Sequence, residues 1–310
     1  MKERFYSVTA SLVYWWRTTM VFDQWPKVMT IEQTVDHLLE TKSSLVRFGD
    51  GELGIMTGAR VGFQDYSPEL SCELRKAIAT ENQDVLICLP GVFDGMKGVD
   101  KLTRDFWIKH LLRGTKVWRS LTLPDRVYGN AFLSRPYMIH SHLDHARIKT
   151  LFQHIERLWR GRNVTIVEGI NTKFGIGNDL LEGASSIKRI LCPNRNAFEK
   201  LQSIKEACLE IDRNDLFLVA LGPAAKPLVL QLQECGRRAI DVGHLDIEFE
   251  WFLRGAKKPS PVPGKAVNEA SPASSGESID SDIYLGQVIN TIYGNEAGAV
   301  NPNDDIWGLV

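Results

Sequence analysis

Asp50 and Glu52 flank a single glycine in the stretch RFGDGELG (47–54), directly after the short apolar run Ser44-Leu45-Val46. Two carboxylates this close offer hard oxygen ligands of the kind Mg²⁺ or Mn²⁺ takes when it also holds a phosphate. Gly49 and Gly51 let the backbone approach whatever binds, and Arg47 adds a positive charge beside them. A tight turn carrying two solvated acids is the alternative.

A second polar group follows another apolar run. GHLDIEFEW (243–251) places His244, Asp246, Glu248 and Glu250 after AIDVG. If strand geometry continues, all four share one face; if a helix begins near 246, only Asp246 and Glu250 do. His244 is then a candidate metal ligand, and Asp246 or Glu248 a candidate general base for a hydroxyl nucleophile. Asp246 as a helix cap is the plainer reading.

Three further stretches suit an anion or a sugar. FGIGNDL (174–180) resembles a glycine loop feeding a helix N-terminus, where free N–H groups favour phosphate; Gly177, Asn178 and Asp179 are its candidate residues. Lys188 and Arg189 in the next strand and Arg195 after it could supply further charge to a diphosphate, although a lone Lys or Arg usually faces solvent. YGNAFLSRPY (128–137) offers Asn130, Ser134 and Arg135 among aromatics, either to clamp a base or sugar or only to pack. A competing motif is His140-x-His142-x-Asp144-His145, the HxHxDH spacing of dinuclear zinc hydrolases. Downstream, only His154 and His244 remain as histidine ligands for such a site.

These stretches need elements to hold them in place. Thr30-Ile31-Glu32-Gln33 reads as a capping box opening a helix. Helices are expected near 69–80, 101–113, 143–160, 196–211, 225–235 and 281–292. Between them run VLICLP (85–90), NVTIVEG (163–169), SIKRILCP (186–193), DLFLVALG (215–222) and AIDVG (239–243). Short β-branched runs alternating with helical patterns predict an α/β fold, Rossmann-like, with a mostly parallel sheet covered by helices on both faces. Ligands bind beyond the carboxyl ends of such strands, where the polar stretches above all fall. The domain reading is an aromatic extension at 1–25, a catalytic domain at 26–255, a Pro/Ser/Gly-rich loop or mobile strap at 256–278, and a C-terminal helix and tail at 279–310.

The 310 residues are 44% hydrophobic and 24% charged with a net charge of −1, the profile of a soluble globular chain with no field to attract nucleic acid. Five cysteines without CxxC spacing point to buried thiols in a reducing, cytoplasmic setting. Tyr14, Trp15, Trp16, Phe22 and Trp25 are too interrupted for a spanning helix or signal peptide. They could pack on their own domain, touch the inner face of a membrane, or form a homodimer contact.

RFGDGEL, YGNAFLSRPY, VEG, GIGNDLLEGASSIKRILCPNRNAF, ALGPAAKPLVLQL, GHLDIEFEW and GKAVNE, in this order, resemble the GT-D-type glycosyltransferases, a bacterial family. The resemblance runs from about residue 26 to 269. It implies a UDP-sugar donor such as UDP-glucose and a divalent cation, Mn²⁺ or Mg²⁺, on a D-x-E motif, here Asp50-Gly51-Glu52. It also implies transfer of a hexose to a glycan hydroxyl, lipid-linked or protein-linked, in polysaccharide or glycoprotein glycan synthesis. On that reading His244 joins the metal site; Arg47, Gly49, Gly51, Asn130, Arg135, Gly177, Asn178, Asp179, Lys188 and Asn194 hold the nucleotide sugar; and Asp246 or Glu248 takes the acceptor proton if the anomeric centre inverts. Before GIGND the family pattern has Ser-Arg where this chain has Thr172-Lys173, keeping a charge but not the bidentate fork of Arg. A dinuclear zinc hydrolase using 140–145 and a non-catalytic nucleotide-sugar-binding module are the competing functions.

Overall fold

The computed structural model describes residues 25–94, 96, 98–123, 125–140, 144–266 and 282–294. Nearly all of the aromatic N-terminal extension and the later part of the Pro/Ser/Gly-rich stretch lie outside the described residues, as do the contacts expected of them. Nine strands form one sheet: β1 (Lys27–Val28), β2 (Ser44–Arg47), β3 (Val85–Leu89), β4 (Val127–Asn130), β5 (Asn163–Gly169), β6 (Ser186–Cys192), β7 (Leu216–Ala220), β8 (Ala239–Asp241) and β9 (Val288–Thr291). Their order is β1-β4-β3-β2-β8-β7-β5-β6-β9, and every neighbouring pair is parallel. The expected parallel α/β sheet is thus the observed one.

The helices among the described residues are α1 (Ile31–Thr41), α2 (Asp50–Met56), α3 (Pro68–Ala79), α4 (Lys101–Leu121), α5 (His145–Glu156), α6 (Leu201–Leu209), α7 (Ala225–Glu234), α8 (Leu245–Leu253) and α9 (Asp282–Gln287). Thr30 and Gln33 form the anticipated capping box, each side chain accepting the other's backbone N–H at 3.1 and 2.9 Å. All five residues of β3 and six consecutive residues of β5 are buried. Successive side chains point to opposite faces, so such runs require cover on both faces of the sheet. None of the described helices is long and apolar enough to cross a membrane.

Two expectations about elements are corrected. The last helix stops at Gln287, and the β-branched run that follows becomes β9 beside β6. GIGND does not open a helix, because residues 170–183 run through consecutive turns with Gly175 and Gly177 at φ +73° and +80°. The described part of the strap, 256–266, is pinned: Trp251 Nε1 donates to the Ser260 carbonyl at 2.9 Å, and Val262 is buried.

A buried ion pair ties the outer strands to the loop after β5. Arg189, inside β6, places Nη1 2.5 Å from Glu168 Oε1 at the end of β5, and its Nε donates to Gln287 Oε1 at 2.8 Å. The Arg189 guanidinium also lies 5.1 Å from the Tyr284 ring centre, docking α9. Glu168 Oε2 accepts the Phe174 N–H at 2.7 Å and so fixes the start of the glycine loop. Replacing Arg189 by Leu strands a buried carboxylate and is expected to cost about 3–5 kcal/mol in urea unfolding, most of it recovered when Glu168→Gln is added.

Candidate active site at the carboxyl edge of the sheet

The central strands β2 and β8 are parallel neighbours, and ligands of such sheets bind beyond the carboxyl ends of the strands. There β2 delivers Arg47, the loop after it starts α2 at Asp50, β8 delivers Asp241, and the first turn of α7 delivers Lys226.

These residues form one charge network. Arg47 Nη2 lies 2.6 Å from Asp241 Oδ1, its Nε donates to the Asp241 carbonyl at 2.9 Å, and Nη1 donates to Ser134 Oγ. Lys226 Nζ lies 2.6 Å from Glu52 Oε1 and 3.1 Å from Asp241 Oδ2, and donates to the Gly222 carbonyl at 3.1 Å. Three acceptors for three N–H donors satisfy an ammonium that is only 2% exposed. Burial pushes the Asp241 carboxyl up, but Arg47 and Lys226 outweigh it and hold the group below the usual carboxylate range. Gly243, at φ +45°, passes so close to Arg47 that a Cβ there would lie 1.8 Å from Nη2, so glycine is required.

At the start of α2 the two acids of the D-x-E motif part company. Glu52 spends Oε1 on Lys226, while Oε2 accepts the Gly49 N–H at 2.9 Å. Asp50 is half-buried; burial raises its carboxyl above the ordinary range, the Arg135 charge pulls it back, and Glu52 adds to the rise. Arg135 is thus the positive charge that acts most strongly on Asp50.

A second cluster locks the glycine loop. Because α8 begins at Leu245, the helical alternative holds: Asp246 and Glu250 share a face. Asn178 Nδ2 donates to Asp246 Oδ1 at 2.8 Å and to Glu250 Oε1 at 2.7 Å. The Gly175 N–H donates to Asp246 Oδ1 at 2.9 Å, and Lys265 Nζ lies 2.7 Å from Asp246 Oδ2 and 3.2 Å from Glu250 Oε1.

Several expected roles are corrected by these positions. Asp246 and Glu248 are 2% and 0% exposed. Asp246 is committed to Lys265 and the loop, and Glu248 Oε2 accepts the N–H groups of Tyr137 and Met138 at 3.0 and 2.8 Å, so neither is presented to an acceptor hydroxyl. Lys188 belongs to the opposite, amino end of the sheet, 3.0 Å from Asp215, which precedes β7. Asn130 is buried and holds the Phe132 N–H and the Met29 carbonyl. Asn194 is at the carboxyl edge, accepting the Asn171 N–H at 3.0 Å, while Gly177 and Asp179 are exposed on the loop. His244 is the N-terminal boundary residue of α8.

Among the described residues, those of the zinc-hydrolase motif do not come together as a metal site. Asp144 Oδ1 caps α5 through the Ala146 and Arg147 N–H groups, and His145 stacks on Phe252 with ring centres 4.2 Å apart. His154 faces Asp36 at 3.0 Å, and His142 lies outside the described residues. Among the described residues no group of three or more His, Cys, Asp or Glu is placed to enclose a metal. Lys226, Asp241 and Lys265 carry the site and were missed; the available signal was a lone lysine between Ala225 and Pro227 in an otherwise apolar helix start, and a second in GKAVNE.

Residues 45–270 match the family model of the glycosyltransferase GT-D fold. The chain belongs to this family of glycosyltransferases, as its motif order had indicated. It is 40% identical over 263 residues to a probable glycosyl transferase Gly of Streptococcus gordonii and 36% identical over 267 residues to glycosyltransferase GlyD of Streptococcus pneumoniae. It aligns through 84% and 86% of its own length but spans only 38% and 32% of theirs. A solved glycosyltransferase from Streptococcus sanguinis superposes with a TM-score of 0.81 at 38% identity, over 87% of this chain and all of that one. Another, described as having a distinct glycosyltransferase fold, gives 0.81 at 36% identity, over 86% and 96%.

The Lys265 cluster has a defined pH signature. Burial raises the Asp246 carboxyl and Lys265 pulls it back, so ionised Asp246 depends on that ammonium. A carboxylate whose folded pKa is raised costs stability above that pKa, and the cost disappears as acid protonates it. Lys265→Met is therefore expected to unfold at lower urea than the parent at pH 7.5, with the gap narrowing towards pH 5. A gap independent of pH would contradict the assignment.

Proposed function

We propose that the chain transfers a hexose from a UDP-sugar to a glycan hydroxyl, with the diphosphate seated at Asp50 and Arg135. The observation that carries this reading is the half-buried Asp50 carboxylate at the start of α2, two residues before Glu52 in the neutralised Lys226 network and under the influence of the Arg135 charge. Arg135, whose charge acts on Asp50, is assigned as the guanidinium for the diphosphate. The backbone at Gly177 is open, with no atom within 4 Å of where a Cβ would stand, and suits a close-lying sugar or phosphate.

A divalent cation fits the donor chemistry of Asp50, a hard carboxylate whose ionised form is disfavoured by burial. Mn²⁺ or Mg²⁺ held there would neutralise the charge that develops on the departing UDP. Asp50 holds the ion, Arg135 orients the diphosphate, and the Lys226 network keeps the α2 turn in register. Buried Asp246 holds the glycine loop in place through Asn178 and Gly175.

UDP release from a panel of UDP-sugars, with glycan acceptors and either Mn²⁺ or EDTA, tests the reading. Turnover is expected with Mn²⁺, and a loss of roughly 100-fold or more in EDTA and in Asp50→Asn, the scale on which removing a transition-state charge partner acts. Unchanged turnover in Asp50→Asn would overturn the site. Donor binding without turnover for every acceptor would favour the binding-module reading.

A further inference from the structure

The geometry points to Lys226 as the cation that Glu52 serves, which makes Glu52 a positioning residue and leaves Asp50 as the D-x-E carboxylate that meets an incoming cation. This rests on the donor-site reading above. Glu52 Oε1 lies 2.6 Å from Lys226 Nζ, and Oε2 accepts the Gly49 N–H at 2.9 Å, so each oxygen already has a specific donor. A small divalent ion such as Mg²⁺ contacts a carboxylate oxygen at about 2.0–2.1 Å, and on Glu52 Oε1 it would stand within a few ångströms of the ammonium. Two cations that close repel strongly in a buried site.

Lys226 is not free to withdraw. Its other N–H groups are held by Asp241 and the Gly222 carbonyl, and its stem is packed inside the first turn of α7. Arg47 and Lys226 against Asp241 and Glu52 make a network of zero net charge. Glu52 thus brings no surplus negative charge to a metal; it ties the Gly49 turn to α7 and aims Asp50.

The test is Mn²⁺ affinity, read from free Mn²⁺ by electron paramagnetic resonance, together with urea unfolding. The full chain is compared with Asp50→Asn, Glu52→Gln, Glu52→Ala, Lys226→Met and the Glu52→Gln/Lys226→Met double variant. Gln keeps an acceptor for the Gly49 N–H but leaves Lys226 uncompensated, so Glu52→Gln should weaken Mn²⁺ binding several-fold, and adding Lys226→Met, which removes that charge, should bring it back to within about threefold of the parent. Glu52→Ala should weaken it about tenfold, the scale of losing a supporting partner, and Asp50→Asn by more. The double variant should unfold at higher urea than either Glu52→Gln or Lys226→Met, since each single change strands one buried charge. Equal Mn²⁺ loss in the Gln and Ala variants, matching Asp50→Asn, would overturn the proposal and make Glu52 a ligand. An additive double variant would overturn it as well. If the parent binds no Mn²⁺, the metal in the donor-site reading fails, while the urea comparison still decides the Lys226–Glu52 pair.

Discussion

The Lys226 ammonium, buried between Glu52, Asp241 and the Gly222 carbonyl, is the interaction on which the carboxyl edge depends. It joins the end of β2, the end of β8, the turn into α2 and the start of α7. Such a charge is tolerated in the interior only when its hydrogen bonds are complete, and here they are. Removing one partner leaves the others uncompensated, which is why four chain segments must arrive together for any of them to sit correctly. Gly243 shows how little room the arrangement leaves, since even a methyl group there would collide with Arg47.

A second buried lysine repeats the device on the glycine loop. Lys265 comes from the strap after α8 and pairs with Asp246 and with Glu250, the latter also paired with Arg254, and these acids in turn hold Asn178 and the Gly175 N–H. The loop after β5 is thereby held at two adjacent N–H groups, by Glu168 at Phe174 and by Asp246 at Gly175. The two lysines divide the labour: Lys226 holds the turn that starts α2, and Lys265 holds the glycine loop after β5.

Much of this fold is legible in the sequence because it rests on local rules. Buried strands such as VLICL announce themselves as continuous apolar runs, and Thr30 with Gln33 carries its own capping chemistry. Most of the polar stretches fall at the expected edge, since they follow strands that all run the same way. What sequence does not supply is which charge meets which. Asp246 and Glu248 look available for catalysis because nothing local reveals that Lys265, 19 residues away, and the Tyr137 and Met138 N–H groups, more than 100 away, already claim them. Lys188 fails for a simpler reason: it lies at the third residue of β6, and a position along the strand decides which end of the sheet a charge serves. The run at 288–291 reads as helix in isolation because its β-branched residues acquire meaning only beside β6.

Central to the proposed function is that the diphosphate of a nucleotide sugar is received at Asp50 and Arg135. A crystal structure of the chain soaked with UDP and Mn²⁺, with the metal located by its anomalous scattering, tests this most directly. The expected result is a metal peak within coordination distance of an Asp50 oxygen, diphosphate oxygens facing Arg135, and Glu52 still on Lys226. A metal and diphosphate bound away from Asp50 would contradict it.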